Sequence, residues 1–242
     1  MTRRLPHIAS IALLVVGTVV PGYAQDSVSA SPSEANIMGT VRASIRLTGV
    51  QHALRVALEQ KTRTELTGHF FGDYRRAIRA PRQWGDGDST LTNYVGHPVQ
   101  GAASGFIWLT HDPAAPLGLS PTRDYWASRL RATAWAAGYS VQFEVGPFSE
   151  ASIGNVGLRP DTVGWVDHVI TPAGGFVVMV GEDALDRFVI SPLERRLSST
   201  ALKAAIRILL NPSRASANIA ALRSPWHRED RPIRRRLDPF AP

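Results

Sequence analysis

Residues 91–109 read LTNYVGHPVQGAASGFIWL, and only Thr92, Asn93, His97, Gln100 and Ser104 in this run are polar. On a helix, Asn93, His97, Gln100, Ser104 and Trp108 recur at steps of four, three, four and four, which stacks them along one face. Everything else is apolar or small. A rod that is apolar nearly all round belongs at the centre of a bundle or in lipid. Its modest length and internal His-Pro favour the bundle centre. Gly96, Gly101, Ala102, Ala103 and Gly105 offer small surfaces for close helix contact. A buried polar line needs partners, because each unsatisfied group costs about 1–3 kcal/mol. Pro98 lacks an N–H, so a kink or a helix start at His97 is also compatible with the pattern.

The partner expected for this rod is a long helix over residues 123–145, capped by Thr122 or Ser120 and stopped by Gly146-Pro147. Arg129, Thr133, Ser140 and Glu144 share one of its faces. Glu144 falls in the last turn, where the helix dipole disfavours negative charge, and Phe143 and Val145 add desolvation. Both effects raise a carboxyl pKa, which is how general acids are made; a contact with His97 would reverse the push. The catalytic reading is a His97–Glu144 acid/base pair, with Glu150 or Asp167 as further carboxylates. Asn93, Gln100, Arg129 and Ser140 would line the same site. The competing reading is a hydrogen-bonded network that keeps the helices in register.

Outward from these two segments, apolar residues Val41, Ile45, Val50, Leu54 and Leu58 predict a helix over 36–60, and residues 70–78 a short one with Thr67 as its cap. Residues 80–90 and 111–121 are turn-rich loops. Thr171-Pro172, Ser191-Pro192 and Asn211-Pro212 each place a capping oxygen before a proline, so helix starts are expected near 172, 192 and 212, with a break at Ser198-Ser199. Only 176–180 reads as a strand. The fold class is mostly α: a single bundle-like helical domain over 36–223, with apolar central helices, a flexible leader over 25–35 and a poorly ordered basic tail over 224–242.

The N-terminus reads as an export signal over residues 1–24. Arg3 and Arg4 precede the apolar run IASIALLVVGTVV, and Gly22-Tyr23-Ala24 sets small residues before a cleavage point at Ala24-Gln25. Export to the periplasm or cell envelope is the expectation. The chain has no cysteine, which excludes disulfides and thiolate metal sites. Its net charge of +7 rests on arginines, with lysine only at positions 61 and 203. An exported chain of this kind points to anionic lipid or an envelope protein as partner, and away from nucleic acid. No G-x-S-x-G, H-E-x-x-H, P-loop or dinucleotide fingerprint occurs. The run from Asp86 to Thr90 fails as a calcium loop, because Leu91 and His97 stand where glycine and glutamate are required. No metal or cofactor is therefore expected. Glu182, Asp183, Asp186 and Arg187 read as a solvated face or an ion-pair cluster. Trp108, Trp126 and Trp135 are candidates for lining an apolar ligand pocket.

The set Asn93-Tyr94-Val95-Gly96-His97-Pro98 with Gly101 (N-Y-x-G-H-P-x-x-G), Gln142-Phe143-Glu144, the run from Gly146 to Ser152, Thr171-Pro172 with Gly174-Gly175, the run from Gly181 to Arg187, and Asn211-Pro212-Ser213-Arg214 resembles a family of exported bacterial envelope proteins known only as a domain of unknown function. The resemblance spans residues 51–230. It implies an envelope location and brings no reaction. The expectation is an exported helical envelope protein with a structural or interaction role at a membrane surface or on a partner. The alternative is a lipid- or cell-wall-directed hydrolase or transferase using the His97/Glu144 pair.

Overall fold

The apolar rod does lie at the centre. α4 (His97–His111) buries ten of its residues between four neighbours: α1 (Ile37–Leu58), α5 (Arg123–Val145), α6 (Trp165–Leu185) and α9 (Pro212–Ala220). A π-helical turn, Thr92–Gly96, leads into it without a break, so Pro98 lies inside continuous helical backbone and one carbonyl of the preceding turn loses its N–H partner. The computed structural model describes residues 34–58, 60–65, 70–79, 82–85, 88–150 and 163–233, all within the unit Ser33–Pro242. The remaining described helices are α2 (Gln60–Glu65), α3 (Phe70–Arg79), α7 (Ser191–Arg196) and α8 (Thr200–Leu210). Two short strands, β1 (Arg82–Gln83) and β2 (Val163–Gly164), pair in parallel. The domain is mostly α. The expected export signal, nearly all of the leader and the Thr67 cap lie outside the described residues.

The core is alanine-rich: Ala43, Ala102, Ala103, Ala132, Ala217 and Ala220 surround Leu47, Phe106, Ile107, Phe143 and Met179. Small residues let the axes approach. The closest approach is between α4 and α6, where a Cβ on Gly175 would stand 2.7 Å from the Gly101 carbonyl carbon, leaving no room for any side chain. Gly96, expected at such a contact, is exposed instead.

α5 matches the expected span, and Thr122 accepts from the Tyr125 N–H at its start. Of the three proline devices, two are corrected. α6 begins at Trp165 and carries Pro172 in its interior, so Thr171 is a helical residue and not a cap. Helical backbone then continues through a second π turn, Asp186–Ile190, into α7, with Ser191 itself helical at φ −59°, ψ −44°. Packing on α4 holds α6 helical despite the hydrogen bond lost at Pro172. The same packing turns residues 176–180, expected as a strand, into helix.

The third device holds in position but not in chemistry. α9 starts at Pro212, yet Asn211 supplies no side-chain cap. The Glu182 carboxylate does so from α6, accepting from the Ser213 N–H at 2.8 Å and the Arg214 N–H at 3.0 Å. A negative charge is favourable at a helix N-terminus. The break before α8 falls where expected, with Ser199 as its cap.

Residues 224–233, expected to be poorly ordered, are fixed by polar contacts that composition does not reveal. Arg207 donates to the Trp226 and Arg231 carbonyls, and Asn218 to those of Pro225 and His227. Residues 234–242 lie outside the described residues.

Candidate functional site

The polar line of α4 is buried as its spacing requires: Asn93, His97, Gln100 and Ser104 all face the interior. Its central member, His97, is 4% exposed. Three helices deliver one side chain each to the same place. His97 comes from the start of α4, Glu144 from the last turn of α5 and Asp167 from the first turn of α6. A ring nitrogen of His97 and one oxygen from each carboxylate all lie within 4.8 Å of one another. His97 Nε2 stands 3.2 Å from Asp167 Oδ1. Its other nitrogen, Nδ1, is 3.2 Å from the Thr171 hydroxyl, one helical turn after Asp167. Ser140 donates to the Asp167 carbonyl oxygen at 3.0 Å, tying α5 to α6 beside the cluster.

Of the residues singled out from sequence, His97, Glu144 and Asp167 therefore come together, with Ser140 beside them. Others do not. Glu150 is held by Arg55 of α1 at 2.5 Å. Gln100 turns towards Tyr139, whose phenol is pushed up by burial, against the opposing hydrogen bonds of Thr48 and Gln100. Arg129, expected to serve the His97 line, belongs to a different cluster: its Nε donates to Asp183 Oδ2 at 2.9 Å and its guanidinium lies 4.3 Å over the Tyr125 ring. The three tryptophans do not share a pocket. Trp108 and Trp135 meet at 5.6 Å, while Trp126 packs against Phe176. The described cavity, about 460 Å³, is lined by Arg129, Arg214, Arg228, His111 and Phe106 among others, and by none of the His97 cluster.

Sequence reasoning missed Thr171, because it was assigned to a cap. It also left Glu182, Asp183 and Asp186 open between a solvated face and ion pairs. All three are buried; Asp183 and Asp186 form ion pairs, and Glu182 caps α9. Asp183 accepts from Tyr125 at 2.8 Å and pairs with Arg129 and Arg214. Asp186 pairs with Arg228 and Arg231, and Glu194 with Arg207 and Arg231. Burial pushes the Glu182 carboxyl up, opposed by the N–H groups of Ser213 and Arg214. A signal did exist: three acids in five residues at the end of an apolar helix, opposite an Asn-Pro-Ser-Arg start, need cations if buried.

A second feature lies on the surface. Trp165, Val169, Ala173, Val177, Gly181 and Leu185 follow one another at steps of four along α6, and every one is exposed. Trp126, Leu130, Ala134, Gly138 and Val141, at three steps of four and one of three, form a second exposed stripe along α5. The two stripes join where the Trp126 and Phe176 rings approach at 6.3 Å. Neither stripe contains a charge. Among the described residues, no helix is long and apolar enough to cross a membrane.

No protein-family model, curated protein or solved structure matches this chain.

Proposed function

We propose that this is an exported envelope protein with a structural or interaction role, resting on a membrane surface through the joined apolar stripes of α5 and α6. The supporting observation is the uncharged exposed face itself. α6 has 21 residues, so its stripe runs about 31 Å. Contiguous exposed apolar surface of this extent marks an interaction site. Lipid is the occupant favoured by the setting: Arg123 and Arg187 are exposed near one end of the stripes, suited to anionic headgroups, and the whole chain carries +7. The expected behaviour is retention on envelopes through a high-salt wash and release by detergent. Flotation with vesicles containing phosphatidylglycerol should be lost in Leu130→Glu and Val177→Lys. Recovery wholly in the soluble periplasmic fraction, or unchanged flotation of both variants, would sink the reading.

A second reading has its own observation. His97 lies within hydrogen-bond reach of Asp167, with Glu144 close by, which is the grouping that acid/base hydrolysis or transfer on lipid or cell-wall material needs. Loss of a lipid- or glycan-cleaving activity in His97→Gln, with envelope retention intact, would favour it.

A further inference from the structure

We propose that His97, Glu144 and Asp167 form a binding site for a divalent transition metal ion, with His97 Nε2 and one oxygen from each carboxylate as the protein ligands. The inference does not depend on membrane association.

Four observations carry it. First, the donor set is a ligand set: one imidazole and two carboxylates, whose two negative charges balance a dication. An imidazole nitrogen suits zinc, iron, copper or nickel, and argues against magnesium and calcium, which take oxygen. Second, the spacing fits. Two ligands about 2.0–2.1 Å from a tetrahedral ion stand about 3.3 Å apart. His97 Nε2 and Asp167 Oδ1 stand at 3.2 Å. The ligand atoms of all three side chains lie within 4.8 Å of one another, at most about 1.5 Å beyond that ideal.

Third, the histidine is aimed. Metal-ligating imidazoles almost always engage their second nitrogen in a hydrogen bond that fixes the ring and its tautomer. Thr171 provides that contact at Nδ1, which leaves Nε2 facing the carboxylates. Fourth, the site is buried and braced. The three side chains are 2–7% exposed, and the Gly101–Gly175 contact fixes α4 against α6 next to them. Three protein ligands leave a fourth position for water or a ligand oxygen, as zinc sites that do chemistry have. Sequence spacing hides such a site, because each ligand comes from a different helix.

The test uses the purified full chain, stripped with chelator and titrated with Co²⁺ and Zn²⁺. The expected result is one metal equivalent per chain by elemental analysis, visible d–d absorption on Co²⁺ addition, and a rise in Tm with Zn²⁺. His97→Gln, Glu144→Gln and Asp167→Asn should each lose the Co²⁺ spectrum. Thr171→Val should weaken binding about 10–100-fold while keeping the stoichiometry. Glu150→Gln, which touches Arg55 instead, should bind as the wild type does. Absence of stoichiometric binding by the wild-type chain overturns the proposal without recourse to any variant. So does binding that survives unchanged in His97→Gln and Asp167→Asn, since the metal would then sit elsewhere.

Discussion

Two buried polar regions occupy opposite ends of α6, and they solve the same problem differently. At the C-terminal end, Asp183, Asp186 and Glu194 each meet one or more arginines, and the arginines are further satisfied by backbone carbonyls such as Pro116 and Trp226. That lattice closes on itself: Arg207 grips both oxygens of Glu194, Arg129 and Arg214 take one oxygen each of Asp183, and Arg228, pushed down to about 9 by burial, still carries its charge at neutral pH. At the N-terminal end, the Asp167 and Glu144 carboxylates gather around a histidine whose far nitrogen meets the Thr171 hydroxyl. Imidazole is smaller, titrates near neutrality and ligates metals. The same helix thus carries a lock at one end and a group capable of chemistry at the other.

The sharpest way to break this contrast is Asp183→Ala. It would leave Arg129, 1% exposed, without its carboxylate, and would strip Tyr125 and Arg214 of theirs. Removing one partner of a buried pair costs about 3–5 kcal/mol. Denaturant unfolding should show that loss. If it reads below about 1 kcal/mol, the lattice is not a lock.

The next effect, about 1–3 kcal/mol, is expected from Gly175→Ala, because the added carbon meets the Gly101 backbone and forces α4 from α6. The separation should also move His97 from Asp167, so stability and metal affinity should fall together. Gly138→Ala on exposed α5, where nothing lies within 4 Å, should instead be neutral or slightly stabilising. Thermal unfolding of the pair checks both. Equal behaviour of the two variants would mean the helix crossing is looser than it looks.

Asp167→Asn, measured without metal, should cost about 1–2 kcal/mol, less than Asp183→Ala, because the amide keeps one acceptor for His97. The same denaturant series decides it. A loss equal to that of Asp183→Ala would make the histidine region a second lock and weaken its claim to chemistry.

The contrast also explains what could be read from the chain. The centre of the bundle was legible because a thin polar line on an apolar rod has few places to go, and the start of α5 because Thr122 caps it locally. His97 and Glu144 were legible as a pair for the same reason: each is the odd residue in an apolar setting. Asp167 came only as one of several carboxylates, and Thr171 not at all. Thr171-Pro172 carries the local pattern of a helix start, and tertiary packing on α4 overrides it. Residues 224–233 failed for the opposite reason. Their composition is that of a tail, and their order comes from Arg207 and Asn218, donors that only the fold places nearby.

The smallest effect is expected at the margin of the histidine region, where α1 meets the end of α5. His52 stacks on Phe143 at 5.3 Å and its Nε2 lies 2.8 Å from the Phe148 carbonyl. Burial lowers its pKa below the usual histidine value; the Phe148 carbonyl opposes this and Arg55 adds to it. The folded state therefore binds this proton less readily than the unfolded chain does. As pH falls through about 6.5 the unfolded chain takes up the proton first, so stability declines with pH until His52 protonates in the folded state and then levels off. His52→Gln removes that component. Between pH 7 and 5 the stability difference, wild type minus variant, should shrink by no more than one proton's worth of slope. Glu182 has the opposite sign: its raised pKa contributes stability at low pH that is lost as pH rises through its folded value. A wild-type advantage that grows on acidification would mean that His52 gains a partner on charging, and that α1 closes on α5 through that charge rather than despite it.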